Sequence, residues 1–149
     1  TEGRGYYFDF LEFAKNGEKN NTPSTPAISL LYALKQKVDE IMAEGLEARY
    51  ERHERLNNLV HAWADKHGIT NFAPEGFQSK SLSCFTTPGN LDLSGFIKAV
   101  RQKHNMLING GYGQIKGTTF RISNMGNEDD ASINALLAAL DDVLPDFIK

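Results

Sequence analysis

Two long segments in the first half of the chain repeat their apolar residues at the spacing of an amphipathic helix. The first runs from Pro26 to Glu44, and Gly45 is a natural terminator for it. Its apolar stripe consists of Ile28, Leu31, Leu34, Val38, Ile41 and Met42. The second runs from Leu46 to about His67. Its stripe consists of Leu46, Tyr50, His53, Leu56, Val60 and Trp63. The pattern predicts two long consecutive helices.

The second half of the chain combines short strand patterns with helices. Strands are predicted over Leu82–Thr86, Met106–Ile108 and Thr118–Ser123. Helices are predicted after a cap at Asp92 or Asn90, and from about Asp129 to Val143. A short helix is expected to begin at Asp9 and to end at Asn16-Gly17. The predicted fold class is α+β, with a small, mainly antiparallel sheet covered by helices on one side and preceded by the two long helices.

The start of the first long helix is rich in hydroxyl groups. Thr25 suits the N-cap, and Pro26 suits the first helical position, where its missing N–H costs nothing. Together with Asn21, Thr22 and Ser24, this helix end offers donors that suit a phosphate. Serine and threonine before a helix are caps more often than ligands, so both interpretations stay open.

A glycine-dense turn between the last two strands is the strongest candidate for a binding site. Gly110, Gly111, Gly113 and Gly117 give the backbone freedom and let another molecule come close. Arg121 follows on the next strand, among apolar neighbours. A guanidinium beside such a turn can hold a carboxylate through two parallel hydrogen bonds, which makes Arg121 the leading functional residue.

Composition narrows the possible partners. The chain has 149 residues and a formal net charge of −3, and its basic residues are scattered. A clustered positive face is therefore not expected, and neither nucleic acid nor a membrane is a favoured partner. No segment is apolar and long enough to span a bilayer, so a cytoplasmic location is expected. The chain begins with Thr1, which suggests a fragment.

Other chemical motifs are weak. Neither Gly111-Tyr112-Gly113 with Gly117 nor Lys116-Gly117-Thr118 has the spacing or order of a nucleotide-binding loop. The spacing of His53, His61 and His67 does not predict a metal site, and we expect structural or surface roles for them. Cys84 is the single cysteine, and its place in an alternating strand predicts a core residue.

Several motifs, taken in order, resemble the C-terminal part of class V aminotransferases, fold-type I enzymes that use pyridoxal phosphate. The likeness is strongest to the alanine–glyoxylate and serine–pyruvate group, and phosphoserine aminotransferase is more distant. The motifs are Tyr6-Tyr7-Phe8-Asp9, Asn21-Thr22-Pro23-Ser24-Thr25-Pro26, Glu44-Gly45-Leu46-Glu47 with Arg52-His53, and Gly110-Gly111-Tyr112-Gly113, Lys116-Gly117, Phe120-Arg121-Ile122 and Met125-Gly126.

The resemblance implies roles for individual residues. Arg121 matches the arginine that binds the substrate α-carboxylate, and Gly110 and Gly111 would lie in the turn near the substrate. Asn21 and Thr22 match a segment that reaches the cofactor phosphate of the other subunit in a homodimer, a task that Ser24 and Thr25 would share. The family's usual Arg-Ile-Gly run is here Arg121-Ile122-Ser123, which leaves the identity of the substrate open.

The resemblance also implies which parts of the enzyme this chain contains. Residues 1–25 would be an interdomain and dimer-contact segment with the phosphate loop, and residues 26–149 the small domain. The catalytic large domain, with the lysine that binds the cofactor, would be absent, so this chain alone is expected to be inactive and not to bind the cofactor. The intact enzyme would transfer an amino group between a small amino acid and a 2-oxo acid such as glyoxylate or pyruvate.

Two alternatives remain at this point. A relative of the cysteine desulfurases would need a reactive cysteine in a flexible loop, whereas Cys84 is predicted on a strand. A non-catalytic ligand-binding or regulatory module could use the same α+β fold, because fold alone does not fix function.

Overall fold

A computed structural model describes residue 3 and residues 5–148. The chain divides into two compact units, residues 1–45 and residues 46–149, which are considered separately below. The functional boundary predicted at residue 25 stays a prediction.

The first unit contains two helices. Helix α1 spans Phe10–Gly17, and the Asp9 carboxylate caps it by accepting a hydrogen bond of 3.0 Å from the Leu11 amide. Helix α2 spans Ile28–Glu44 and ends at Gly45, which has a φ of 87°. Both helices were predicted. The apolar side chains of α2 are largely exposed, since none of its described residues is buried in this chain.

The predicted cap of α2 at Thr25 is wrong. The helix begins two residues later than predicted, its N-cap position is Ala27, and no side chain caps it. The Leu31 amide donates to the Ala27 carbonyl at 3.0 Å, so the i to i−4 hydrogen bonding of the helix includes Ala27 as its N-cap. The Ile28 amide then donates to the Pro26 carbonyl at 2.9 Å. Pro26 therefore belongs to a tight turn that precedes the helix, and it is not the first helical residue.

The second unit has the order helix, strand, helix, strand, strand, helix. Its helices are α3 (Leu46–Lys66), α4 (Leu93–His104) and α5 (Asp130–Val143). Its strands are β1 (Leu82–Thr86), β2 (Asn109–Gly110) and β3 (Thr119–Ser123). The strands form one antiparallel sheet in the order β1-β3-β2. The predicted α+β class is confirmed.

Helix caps explain two of these boundaries. The Asp92 carboxylate accepts from the Gly95 amide at 3.1 Å, so Asp92 caps α4. In α5, Asp129 and Ser132 form a reciprocal capping box. Both helix starts therefore follow from local hydrogen bonds that the sequence encodes.

The position of β2 corrects the sequence interpretation. The strand was predicted at Met106–Ile108, but pairing with β3 occurs three residues later, where Asn109 and Gly110 face Arg121 and Phe120. Ile108 is only 2% exposed because it packs in the core. The apolar pattern of residues 106–108 thus reflects burial in the core, whereas the pairing with β3 begins at Asn109.

The core lies between one face of the sheet and the three helices of the second unit. Phe85, Phe120 and Ile122 project from this inner face and are almost fully buried. The second half of α3 joins them through Leu56, Asn57, Val60, Trp63 and Ala64. The first half of the predicted α3 stripe is different, since Leu46 and Tyr50 are 44% and 67% exposed. Because the core occupies the inner face of the sheet, a ligand can reach the sheet only from its other face.

Two adjacent aspartates on α5 tie the ends of the neighbouring helices. Asp141 accepts hydrogen bonds from Trp63 (2.6 Å) and Lys66 (2.9 Å) and contacts His67 (2.7 Å), all near the end of α3. Asp142 pairs with Lys103 at 2.8 Å and His104 at 2.7 Å on α4. Each carboxylate forms a clamp, the Asp141 clamp between α5 and the end of α3 and the Asp142 clamp between α5 and α4.

Acid should weaken these clamps. Partial burial acts to raise the pKa of Asp141, but hydrogen bonds from Lys66, Trp63 and His67 outweigh it and lower the pKa below the usual 3.8. Hydrogen bonds from Lys103 and His104 likewise lower the pKa of Asp142. A lowered carboxyl pKa stabilises the fold above the unfolded-state value, and this contribution is lost as the pH falls through the folded-state pKa.

We therefore expect Asp141→Asn to lower the free energy of unfolding at pH 7 and to have a smaller effect at pH 3, which lies below the usual carboxyl pKa of 3.8. Urea denaturation of the full-length protein at both pH values measures the difference. Asp65→Asn, on α3 outside the clamp, is the control. Equal losses for Asp141→Asn at the two pH values would contradict the assignment.

None of the helices in the described part of the chain has the length and hydropathy needed to cross a bilayer. The cytoplasmic location remains a prediction.

Candidate functional site

Arg121 lies at the centre of the outer face of the sheet. In the antiparallel register, Arg121 on β3 faces Cys84 on β1 and Asn109 on β2. Because side chains alternate along a strand, Arg121 points away from the core that Phe120 and Ile122 enter. The guanidinium is therefore carried by the middle strand of the sheet.

The glycine turn holds the guanidinium on two sides. The Nε–H of Arg121 donates to the Gly110 carbonyl at 3.0 Å. The Cζ atom lies 4.2 Å from the centre of the Tyr112 ring, within the range of a cation–π interaction. Across the described residues, no acidic side chain forms an ion pair with Arg121. The two Nη groups thus keep donors for an external acceptor.

A cleft of about 570 Å³ opens in front of this arginine. Its walls come from the start of α4, from β2 and the glycine turn, and from β3. The lining side chains that can form hydrogen bonds are Asp92, Ser94, Asn109, Tyr112, Lys116 and Arg121. Lys116 adds a second cation, so the cleft offers two positive groups beside one carboxylate that already caps α4. This balance favours an anionic ligand.

Gly111 is required by packing at the base of the cleft. A Cβ atom there would lie 2.1 Å from Thr119 Oγ1 and 2.6 Å from the Ile115 carbonyl. The adjacent Gly110 is different, because its nearest contacts would be ordinary ones at 3.7 and 3.9 Å. Gly111 therefore allows the turn to close on β3, while Gly110 supplies a carbonyl to the arginine.

The predicted phosphate residues lie in the first unit, whereas Arg121, Gly110 and Gly111 lie in the second. The Asn21 side-chain oxygen accepts from the Thr22 amide at 2.9 Å, and the Thr22 hydroxyl donates to the Ser24 carbonyl at 2.8 Å. Tyr6 donates its hydroxyl to the Pro23 carbonyl. The loop is thus ordered by its own hydrogen bonds, and no acidic residue occurs between Asn20 and Ala27.

The histidines contact protein atoms. His53 Nδ1 lies 3.0 Å from the Arg49 carbonyl, and His61 Nε2 lies 3.0 Å from Ser83 Oγ. Burial lowers the pKa of His61, which favours its neutral form. Within residue 3 and residues 5–148, no three His, Cys, Asp or Glu side chains are grouped so that they could hold a metal ion.

Two features of the site were not predicted. Cys84 was expected in the core, but it is only partly buried and lies beside Arg121 on the outer face. The phase of the alternation gives the reason, because Ser83 and Phe85 take the inward positions of β1. The stacking of Tyr112 was also missed, although an aromatic residue within a glycine turn near an arginine could have suggested it.

Comparison with known proteins agrees with this architecture. No protein-family model matches the chain. It is 35% identical over 138 residues to an uncharacterized aminotransferase of Methanocaldococcus jannaschii, and 31% identical over 139 residues to a serine–glyoxylate aminotransferase of Arabidopsis thaliana. These alignments cover 92% and 93% of this chain but only 36% and 34% of the relatives.

Solved structures give the same result. The chain superposes on a ureidoglycine–glyoxylate aminotransferase from Bacillus subtilis with a TM-score of 0.87 and 26% identity, covering 98% of this chain and 39% of that one. The likeness therefore extends over both units while accounting for little more than a third of the relatives' length. Nearly the whole chain corresponds to one part of these proteins, and its homologues are class V aminotransferases.

Proposed function

We propose that this chain is the substrate-carboxylate-binding part of a pyridoxal-phosphate-dependent transaminase. The full-length protein would transfer an amino group between a small amino acid and a 2-oxo acid such as glyoxylate. Relatives named serine–glyoxylate and L-aspartate–glyoxylate aminotransferase, the latter from Paracoccus denitrificans, support this reaction class. The observation that carries the role of this chain is the Arg121 guanidinium, which is held by the turn and has no carboxylate partner among the described residues.

Arg121 would bind the α-carboxylate shared by amino-acid and 2-oxo-acid substrates. The guanidinium keeps two Nη groups side by side, which matches the two oxygens of a carboxylate. Its Nε is already bonded to Gly110, so the side chain loses little further freedom when substrate binds. One arginine can thus orient both the amino donor and the keto acceptor in the same position.

The loop Asn21–Thr25 would hold the cofactor phosphate. Its side chains supply amide and hydroxyl groups, and its lack of acidic residues suits an anion. Thr22 would exchange its present bond to the Ser24 carbonyl for a phosphate oxygen. Ser24, Thr25 and the Asn21 amide would add donors. Following the resemblance to the family, the phosphate would belong to the other subunit of a homodimer.

When bound, pyridoxal phosphate supplies the electron sink that amino transfer needs. Residues outside this chain would bind the cofactor covalently and move protons at the reacting carbon. Residues of this chain would position the carboxylate and the phosphate. A cysteine desulfurase-like reaction is a poorer fit, because Cys84 is fixed in the middle of β1 instead of lying in a loop.

Full-length protein loaded with pyridoxal phosphate tests this function. We expect amino transfer from alanine, serine or aspartate to glyoxylate or pyruvate. Thr22→Ala is expected to raise the dissociation constant of the cofactor about 10- to 150-fold, because a hydrogen bond to a charged group contributes about 1.5–3 kcal/mol. Cofactor absorbance during titration measures binding, and coupled assays measure transfer.

Thr22→Ser is the matched control, since it retains the hydroxyl group and should bind cofactor nearly as well as wild type. An unchanged cofactor dissociation constant in Thr22→Ala would remove Thr22 from the phosphate site. Absence of amino transfer with every donor and acceptor would favour a non-catalytic ligand-binding module instead.

A further inference from the structure

Tyr112 contacts the Arg121 guanidinium with the face of its ring although it lies on the protein surface. Its side chain is 74% exposed, yet its ring centre lies 4.2 Å from the arginine Cζ. Gly111 precedes Tyr112 and a 3-10 turn, Gly113–Ile115, follows. The ring and the guanidinium both line the cleft, where they contact each other.

The restraints on Arg121 come from one short segment. Gly110 provides the carbonyl that accepts from Nε, and Tyr112 provides the ring over which the guanidinium carbon lies. Gly111 lies between them and packs so closely that a Cβ atom would not fit. The conformation of these three residues therefore sets both contacts at once.

Such an arrangement has a physical consequence for ligand binding. A free arginine side chain samples many rotamers, and ordering it on binding costs free energy. The carbonyl at Nε restrains the direction of the group, and the Tyr112 ring beside Cζ restrains its movement further. The Nη groups remain as donors for a planar acceptor in the cleft that Arg121 lines.

We propose that Tyr112 is a positioning residue that presents the Arg121 fork to the substrate carboxylate through its aromatic ring. This inference rests on the proposed function and deepens it. The ring, and not the phenol hydroxyl, is the active element, since the contact is between the ring face and the cation. Tyr112 acts through Arg121 and needs no contact with the reacting atoms.

Tyr112→Leu in the full-length holoenzyme tests the proposal. We expect the KM for the amino acid, and the inhibition constant of a simple carboxylate such as acetate, to rise about two- to fivefold, the equivalent of an exposed cation–π contact. The kcat should stay unchanged, because Tyr112 does not touch the reacting atoms. The proton resonance of Arg121 Nε–H should lose its ring-current shift in the same variant.

Two variants serve as controls. Tyr112→Phe keeps the ring and should keep both the KM and the Arg121 resonance of wild type. Gln114→Leu introduces the same new side chain into the same turn without altering the arginine contact, and should leave KM unchanged. Circular dichroism on each variant confirms that the fold is retained.

The outcomes separate this inference from the proposed function. If Arg121→Ala raises the KM while Tyr112→Leu leaves it at the wild-type value, Tyr112 has no positioning role and only this inference falls. If Tyr112→Phe is as defective as Tyr112→Leu, the hydroxyl matters and the proposal is wrong. If Arg121→Ala itself has no effect, the carboxylate site and the inference fail together.

Discussion

Replacing Arg121 with alanine in the full-length holoenzyme is expected to raise the KM for the amino donor and for the keto acceptor by about 100-fold. The variant loses two charge-assisted hydrogen bonds to the carboxylate. A 100-fold rise in KM corresponds to a loss of about 2.8 kcal/mol of binding free energy, which two such bonds can supply. Both half-reactions should suffer, because both substrates carry the same carboxylate. Steady-state kinetics with each substrate varied in turn measures the effect.

Cofactor absorbance should be unchanged in Arg121→Ala, since the proposed phosphate residues are elsewhere in the chain. Arg121→Lys should recover part of the affinity, because it keeps the charge but loses the planar fork. Arg101→Ala removes an exposed arginine from α4 and serves as the control. A KM for Arg121→Ala within twofold of wild type would remove Arg121 from the site.

Gly111→Ala is expected to damage both the fold and the site. A methyl group 2.1 Å from Thr119 Oγ1 and 2.6 Å from the Ile115 carbonyl forces the turn away from β3. It also disrupts the hydrogen bond of 2.9 Å from Thr119 Oγ1 to that carbonyl. Overpacking of this kind typically costs about 1–3 kcal/mol. The apparent melting temperature should fall, and the substrate KM should rise because Gly110 and Tyr112 move with the turn.

Gly110→Ala is the matched control for stability. Its Cβ atom would make only ordinary contacts, with the Thr119 carbonyl at 3.7 Å and with Ile97 at 3.9 Å. The melting temperature of this variant should stay close to that of wild type. Equal melting temperatures for Gly111→Ala and Gly110→Ala would mean that the turn can relax, and the strict packing role of Gly111 would be wrong.

The sequence predicted the helices and strands β1 and β3 because their signals are local. The acidic cap and capping box of α5, the Asp92 cap of α4, and the alternation in β1 and β3 act within a few residues. Such signals depend little on what packs against them. The α+β class followed from their order along the chain.

The errors arose where tertiary contacts overrode local preference. Met106–Ile108 has the composition of a strand, yet Ile108 serves the core and the ladder forms at Asn109–Gly110. Thr25-Pro26 has the composition of a helix start, yet a tight turn at Pro26 delays the helix to Ile28. A pattern of apolar residues reports burial, and it does not report which backbone groups pair.

In the candidate site, too, features with a local signal were predicted and features that depend on tertiary contacts were not. Arg121 was predicted as a candidate because a guanidinium beside a glycine-dense turn can hold a carboxylate. Tyr112 and Cys84 were not, since their positions depend on the curl of the turn and on the phase of β1 against β3. The register of three strands decides which side chains share a face, and one chain segment alone does not contain that information.

The most direct test of the central claim is a crystal structure of the full-length holoenzyme with a carboxylate inhibitor bound. Our account predicts both carboxylate oxygens within about 2.7–2.9 Å of the two Arg121 Nη atoms, with Nε still bonded to the Gly110 carbonyl. A carboxylate held by other residues, with Arg121 turned away from the cleft or paired to an acidic side chain, would contradict it.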